Sequence, residues 1–165
     1  MRTAICPGSF DPVTNGHMDI IRRSSALFDR VLVAVMENYH KPTRLFSAAE
    51  RVELLRRCSA GLPNVEVLLS GGLLADLARE KGADAVVKGL RAVSDFEIEF
   101  QQALINRQLN PNLETVFLTA GAESMFLSSS VVKQVAQFGG DISRFVPGEI
   151  LGEVVDRLAG ITGSE

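Results

Sequence analysis

Cys6-Pro7-Gly8-Ser9-Phe10-Asp11-Pro12-Val13-Thr14-Asn15-Gly16-His17 joins a short apolar run, Thr3 to Cys6, to an amphipathic one, His17 to Phe28. The pattern predicts a strand, a tight loop and a helix. Proline withholds a backbone donor and glycine serves unusual dihedrals, so Pro7, Gly8, Pro12 and Gly16 shape a loop rather than extend regular structure. That loop delivers His17 to the first turn of a helix, where unpaired N–H groups and the positive end of the helix dipole attract anions. A phosphate site is the expectation.

Outward from this stretch, strand-like and helix-like segments alternate. Val31-Leu32-Val33-Ala34-Val35-Met36 is a continuous apolar run, as a central parallel strand covered on both faces would be. A polar loop, Glu37 to Leu45, follows and holds Lys41 and Arg44. Ser47-Ala48-Ala49-Glu50 reads as a capping box opening a helix to about Ser59, with Leu54, Leu55 and Cys58 on its buried face. Asn64 to Leu69 is a third strand, Gly71-Gly72 a turn, Leu73 to Lys81 a helix, and Gly82 its stop. Asp84 to Val87 is a fourth strand, with Lys88-Gly89-Leu90-Arg91 just past its carboxyl end. Ser94-Asp95-Phe96-Glu97 reads as a second capping box, starting a helix to about Leu109. Glu114 to Thr119 is a fifth strand. Ser128-Ser129-Ser130 can cap a helix through Phe138 that Gly139-Gly140 ends. Pro147 suits the first position of a last helix through Leu158, and Gly160 to Glu165 reads as a frayed tail.

Five strands with right-handed helical crossovers make an α/β fold, a doubly wound parallel sheet of Rossmann-like type. Ligands in such sheets sit beyond the carboxyl ends of the strands. The loop at residues 7–17, Lys41, the turn from Lys88 to Arg91 and the serine run all fall on that edge. They can converge on one crevice.

The 165 residues, 46% of them apolar, fit a single domain with a real core. A net charge of −3 gives a polyanion no general reason to bind, and the apolar runs are far too short to cross a membrane. No nucleic-acid or membrane partner is expected, and the chain reads as cytoplasmic. Cys6 and Cys58 lack any metal-ligand or disulfide spacing and read as buried thiols.

Neither Gly-x-Gly-x-x-Gly nor Gly-x4-Gly-Lys-Ser/Thr is present, so an ordinary dinucleotide fold is not indicated. His17, one of two histidines, follows a glycine at a ligand edge. Its neutral alternative is a core histidine; that of His40 is plain solvation. Lys88 and Arg91 around Gly89 suit phosphate recognition. Capping would use one serine of the three, and the other hydroxyls suggest a second anion site. Asp95, Glu97 and Glu99 scatter around a helix start and do not make a metal cluster; capping and dipole effects account for the first two. No recognisable nucleophile signature is found. Many phosphate binders without a protein nucleophile point to phosphoryl or nucleotidyl transfer, which alignment and charge stabilisation can drive.

The opening stretch resembles the Thr/His-x-Gly-His signature of the nucleotidyltransferase superfamily, in the form carried by the bacterial phosphopantetheine adenylyltransferases. Lys88-Gly89-Leu90-Arg91 with Asp95-Phe96-Glu97, Asn106-Arg107, and Phe126-Leu127-Ser128-Ser129-Ser130-Val131-Val132-Lys133 are similar to that family in order and spacing. The resemblance covers nearly the whole chain. It implies reversible adenylyl transfer from ATP to 4′-phosphopantetheine, giving dephospho-coenzyme A and pyrophosphate in coenzyme A synthesis. It further implies magnesium carried on the ATP phosphates, no protein-held metal, and a homohexamer. On the ATP side it implies Ser9, Phe10, His17, Gly89, Leu90, Arg91 and Glu99, together with Ser124, Met125, Phe126, Leu127, Ser128, Ser129 and Ser130. Ser9, Lys41, Leu74 and Lys88 would hold the acceptor, and His17, Lys41, Lys88 and Arg91 would serve catalysis. Lys133 stands where the superfamily motif often has arginine and receives no role. The alternatives are transfer to another acceptor, such as nicotinamide mononucleotide or a polyol phosphate, or a nucleotide sensor without turnover.

Overall fold

The computed structural model describes residues 1–37 and 44–162, the last two without their side chains. In chain order it holds β1 (Thr3–Gly8), α1 (Asn15–Leu27), β2 (Arg30–Met36), α2 (Ala48–Ser59), β3 (Val65–Ser70) and α3 (Leu74–Lys81). There follow β4 (Ala85–Leu90), α4 (Val93–Leu109), β5 (Glu114–Thr119), α5 (Ser129–Gln137) and α6 (Leu151–Thr162). The strands form one parallel five-stranded sheet in the order β3-β2-β1-β4-β5, the doubly wound arrangement expected.

Alternation along the strands divides the core in two. Ala4, Cys6, Val31, Val33, Val35 and Val87 point to the face covered by α1, α2, α5 and α6. Ile5, Leu32, Ala34 and Val86 point to the other, where Leu77 and Ala78 of α3 meet them. Successive Cβ atoms of a strand take opposite faces, so the apolar run in β2 feeds both layers.

The order of the strands positions the site. The chain steps outward from β1 to β2 and β3, then returns to the far side of β1 for β4 and β5, so the direction of winding reverses between β1 and β4. β1 pairs with β2 along its whole length, from Thr3 opposite Arg30 to Gly8 opposite Val35, but with β4 only at Ala4–Ala85 and Ile5–Val86. Beyond those pairs the two strands part. A crevice opens at this switch point, where ligands of such sheets bind.

Several boundaries differ from those expected. β1 continues through Pro7 and Gly8, which is tolerated because pairing with β4 has already ended and that side is an edge. β4 carries on through Lys88, Gly89 and Leu90, held by Phe117, Leu118 and Thr119 of β5, so Lys88 lies within the strand and Arg91 is the first residue past it. The box at Ser94–Glu97 does not form: α4 starts at Val93, so Ser94 lies inside the helix and the N-cap position falls to Ala92, whose side chain has no acceptor. Pro147 opens a turn closed by the Ile150 N–H on its carbonyl at 3.1 Å, and α6 begins only at Leu151. The stretch expected to fray from Gly160 is helical to Thr162.

The box at Ser47 does form, with the Glu50 N–H on Ser47 Oγ at 3.3 Å and the Ser47 N–H on Glu50 Oε2 at 2.7 Å. Cys58 is only half-buried, while Arg51 on the same helix, unexpected in the core, is 1% exposed. Gly82 (φ 63°) and Gly139 (φ 75°) stop their helices in the left-handed conformation glycine allows.

Candidate active site

α1 begins at Asn15, two residues earlier than the apolar pattern suggests, because Thr14 caps it. The His17 N–H donates to Thr14 Oγ1 at 3.2 Å, and the Thr14 N–H donates to His17 Nδ1 at 3.0 Å. This is a capping box with imidazole in the place of the usual carboxylate. An Nδ1 that accepts carries no proton, so the neutral ring bears its hydrogen on Nε2. Burial, with the positive charge of Arg91 adding to it, holds the imidazole down to about 4. His17 is therefore a neutral donor near pH 7.

Phe10 fixes the ring from the side. Its φ of 50° is uncommon for a residue with a Cβ, and it turns the phenyl ring edge-on to the imidazole with centroids 5.0 Å apart. Gly8 makes room, since a Cβ there would stand 2.9 Å from Phe10 Cζ. On the opposite wall, a Cβ on Gly89 would meet Ile20 Cγ1 at 2.9 Å, so glycine lets α1 lie close on β4.

The cations are held by carboxylates. Arg91 donates from Nε to Asp95 Oδ2 at 3.0 Å and from Nη2 to Oδ1 at 3.3 Å, and Nη1 reaches the Leu127 carbonyl at 3.1 Å. Burial opposes ionisation of Asp95, but the hydrogen bonds from Arg91 outweigh it and keep the carboxyl below its ordinary range. Lys88 Nζ lies 3.0 Å from Glu99 Oε2, an ion pair without the angles of a directed hydrogen bond. Ser128 caps α5 by accepting the Val131 N–H at 3.1 Å. Ser129 donates to the Pro12 carbonyl at 2.7 Å, so this hydroxyl ties α5 to the first loop and is not a free anion donor.

These groups meet in a cleft of about 450 Å³ at the switch point. Of the residues expected from sequence, Ser9, Phe10, His17, Lys88, Gly89, Arg91, Glu99, Ser124, Leu127, Ser128 and Ser129 line it. Leu90, Met125, Phe126 and Ser130 are not among its lining residues. Phe126 is 57% exposed and stacks edge-on to Phe145, and Leu74 packs against the α3 side of the core. Lys41 and His40 lie outside the described residues. Sequence reasoning missed Thr14 as the residue that orients His17, although Thr-x-x-His has the spacing of a capping box. It also missed Asp95 as the partner of Arg91, since Asp95 was read as a cap.

A larger groove of about 660 Å³ lies between α2 and α6, with Glu50, Glu53, Glu153 and Asp156 among its lining. Their sign is wrong for phosphates. Cys6, buried and next to Ser24 Oγ at 3.4 Å, has its thiol pushed up to about 11 by burial, and Cys58 is raised to about 11 for the same reason. Neither is a thiolate nucleophile near neutral pH.

A parallel doubly wound sheet with a cleft at its switch point, lined from Thr-x-Gly-His and a cationic strand end, is the arrangement of an α/β nucleotidyltransferase. Comparison with known proteins agrees. Residues 5–135 match the cytidylyltransferase-like family. A phosphopantetheine adenylyltransferase of Rubrobacter xylanophilus is 59% identical over 151 residues, 92% of either chain. That of Methylococcus capsulatus is 52% identical over 158 residues, 96% of this chain and 97% of its own. The chain belongs to the phosphopantetheine adenylyltransferases of the cytidylyltransferase-like family. The solved structure of a nicotinate-nucleotide adenylyltransferase from Vibrio parahaemolyticus shares the fold, with a TM-score of 0.67 at 20% identity over 95% of this chain and 96% of that one.

Proposed function

We infer that the protein catalyses the reversible transfer of the adenylyl group from ATP to 4′-phosphopantetheine, giving dephospho-coenzyme A and pyrophosphate. An oxygen of the acceptor phosphate attacks the α-phosphorus of ATP and pyrophosphate leaves, so the protein need supply no nucleophile. The observation that carries this reading is His17, neutral and fixed at the start of α1, in one cleft with Lys88 and Arg91. A neutral Nε2–H can donate to triphosphate oxygens without a proton changing hands, and the helix start adds its dipole.

His17 and Arg91 serve the triphosphate, with Ser9, Phe10, Gly89, Leu90, Glu99 and residues 124–130 forming the ATP side. Lys41, Lys88, Ser9 and Leu74 serve the acceptor. Lys88 is released from Glu99 when a phosphate enters, exchanging one anion for another. Among the described residues Glu99 is the single carboxylate lining the cleft, and it is already paired. The donor set therefore fits phosphate oxygens, and magnesium would be held by the triphosphate and water, neutralising the charge of the leaving pyrophosphate.

The chain works as one domain, and no helix among the described residues is long and apolar enough to cross a membrane. A cytoplasmic place fits a reaction on ATP. Assembly into a homohexamer is supported by α4, which buries none of its residues and exposes Phe96, Ile98, Phe100, Leu104 and Ile105.

Mixing the protein with magnesium-ATP and 4′-phosphopantetheine should release pyrophosphate and dephospho-coenzyme A, with pantetheine lacking the phosphate as control. Turnover confined to another phosphate acceptor would reject the assignment. His17→Ala should lower kcat by about 10²-fold or more while ATP affinity changes little, since a donor aimed at growing charge acts in the transition state. A loss of affinity with unchanged kcat would remove that role.

A further inference from the structure

Asp11 lies in the first loop, 6% exposed, and is not among the residues lining the cleft. Its carboxylate accepts two successive backbone amides from the far side of β2: Leu45 N–H on Oδ2 at 2.9 Å and Phe46 N–H on Oδ1 at 2.9 Å. Lys133 Nζ of α5 stands 3.4 Å from the same Oδ2. One carboxylate thus joins the segment leading into α2, the first loop and α5. The Ser129 hydroxyl on the Pro12 carbonyl makes a second tie between α5 and this loop.

Arg51 grips the loop from the other side. Its Nη1 donates to the Ser9 carbonyl at 2.6 Å and its Nε to the Ser47 carbonyl at 3.4 Å. Burying this guanidinium is costly, and the hydrogen bonds it makes go to the loop beside His17 and to the cap of α2. Residues 9–12 are therefore clamped between α2 with its leading segment and α5.

We propose that Asp11, with Lys133 and Arg51, is a positioning residue that fixes the first loop, which carries Ser9 and Phe10 into the cleft, against α5 on one side and the segment leading into α2 on the other, and so sets how the two substrates are aligned. This rests on the two-substrate reading given above. Asp11 is buried and does not line the cleft, so its effect falls on the mutual alignment of the substrates. Displacing reacting groups by about 1 Å can cost about 10²-fold in rate without loss of binding.

The test compares the full chain with Asp11→Asn and Lys133→Gln. Asparagine offers one acceptor oxygen to two amides and no charge to the lysine; Lys133 is partly exposed, so its replacement is tolerated if Asp11→Asn fails to fold. With both substrates saturating, Asp11→Asn should lower kcat at least about 10-fold and Lys133→Gln about 3-fold, and Lys133→Arg should restore it. ATP affinity, measured by equilibrium binding without acceptor, should stay within about 3-fold. Amide exchange at Leu45 and Phe46, followed without substrate, should quicken in Asp11→Asn. Unchanged kcat in the variants, or ATP affinity falling in step with kcat, would overturn the proposal. If wild type binds ATP but does not use 4′-phosphopantetheine, the acceptor assignment fails. The exchange rates then decide the clamp, and wild-type rates in Asp11→Asn overturn it.

Discussion

At position 17 a histidine takes the place that glutamate or glutamine usually fills in a capping box. The bond from the Thr14 amide uses up Nδ1 and so dictates the tautomer, while burial and Arg91 keep the ring neutral. An imidazole NMR titration should find a midpoint near 4 in the folded protein; one near 6.5 would mean the ring is exposed or misassigned. The same shift has a consequence for stability. Unfolded, the ring takes up its proton near 6.5; folded, it resists until about 4. Between those values the unfolded chain binds more protons, so this residue lowers stability as pH falls through the window and has no effect above it. His17→Gln should remove that part of the slope in denaturant titrations at pH 4 to 7. The histidine, its glycine and the loop before it were legible from residues 6–17. Its tautomer was not, because that depends on which backbone amide the fold brings to Nδ1.

Among the elements, α1 and α4 show the two ways a helix start is used here. α1 is capped by its own Thr14, and the cap and the site are the same set of bonds. Thr14→Val keeps the shape and removes the acceptor for the His17 amide, so it should cost about 1 kcal/mol in thermal or denaturant unfolding and also reduce kcat. A stability loss with kcat unchanged would separate the cap from the site. α4 lacks a side-chain cap because Ala92 stands at its N-cap, and Asp95 in its first turn reaches back to Arg91 and keeps the guanidinium at the cleft. From sequence, Ser94 to Glu97 has the spacing of a box, and nothing local distinguishes a carboxylate that caps from one that holds an arginine four residues earlier. The end of β4 was misjudged for a similar reason. Lys88 and Gly89 look like loop residues alone, and become strand only because Phe117 and Leu118 of β5 lie beside them.

At the scale of the whole molecule, α4 presents a wide apolar face. A 17-residue helix with no buried residue and Ile98 60% and Ile105 58% exposed has the character of an interaction surface, which the assembly proposed above would cover. Ile105→Glu should shift the protein to smaller species in light scattering while far-UV circular dichroism stays unchanged. A variant that keeps the wild-type mass would show that α4 is not the contact.

The sequence by itself determined the alternation of strands and helices, the parallel sheet, and the loops that could meet at its edge, because these follow from local periodicity and from glycine and proline chemistry. It also carried enough of the motif at residues 6–17 and 88–91 for the family to be recognised. Tertiary structure decided the rest. Only the sheet order shows that β1 and β4 part after Ile5 and Val86 and so open the crevice. Only packing across the fold puts Leu45, Phe46 and Lys133 around Asp11 and buries Arg51 beneath Ser9. Hydrogen bonds between residues more than thirty positions apart leave no periodic trace in the chain, and they are what turns a set of edge loops into one site.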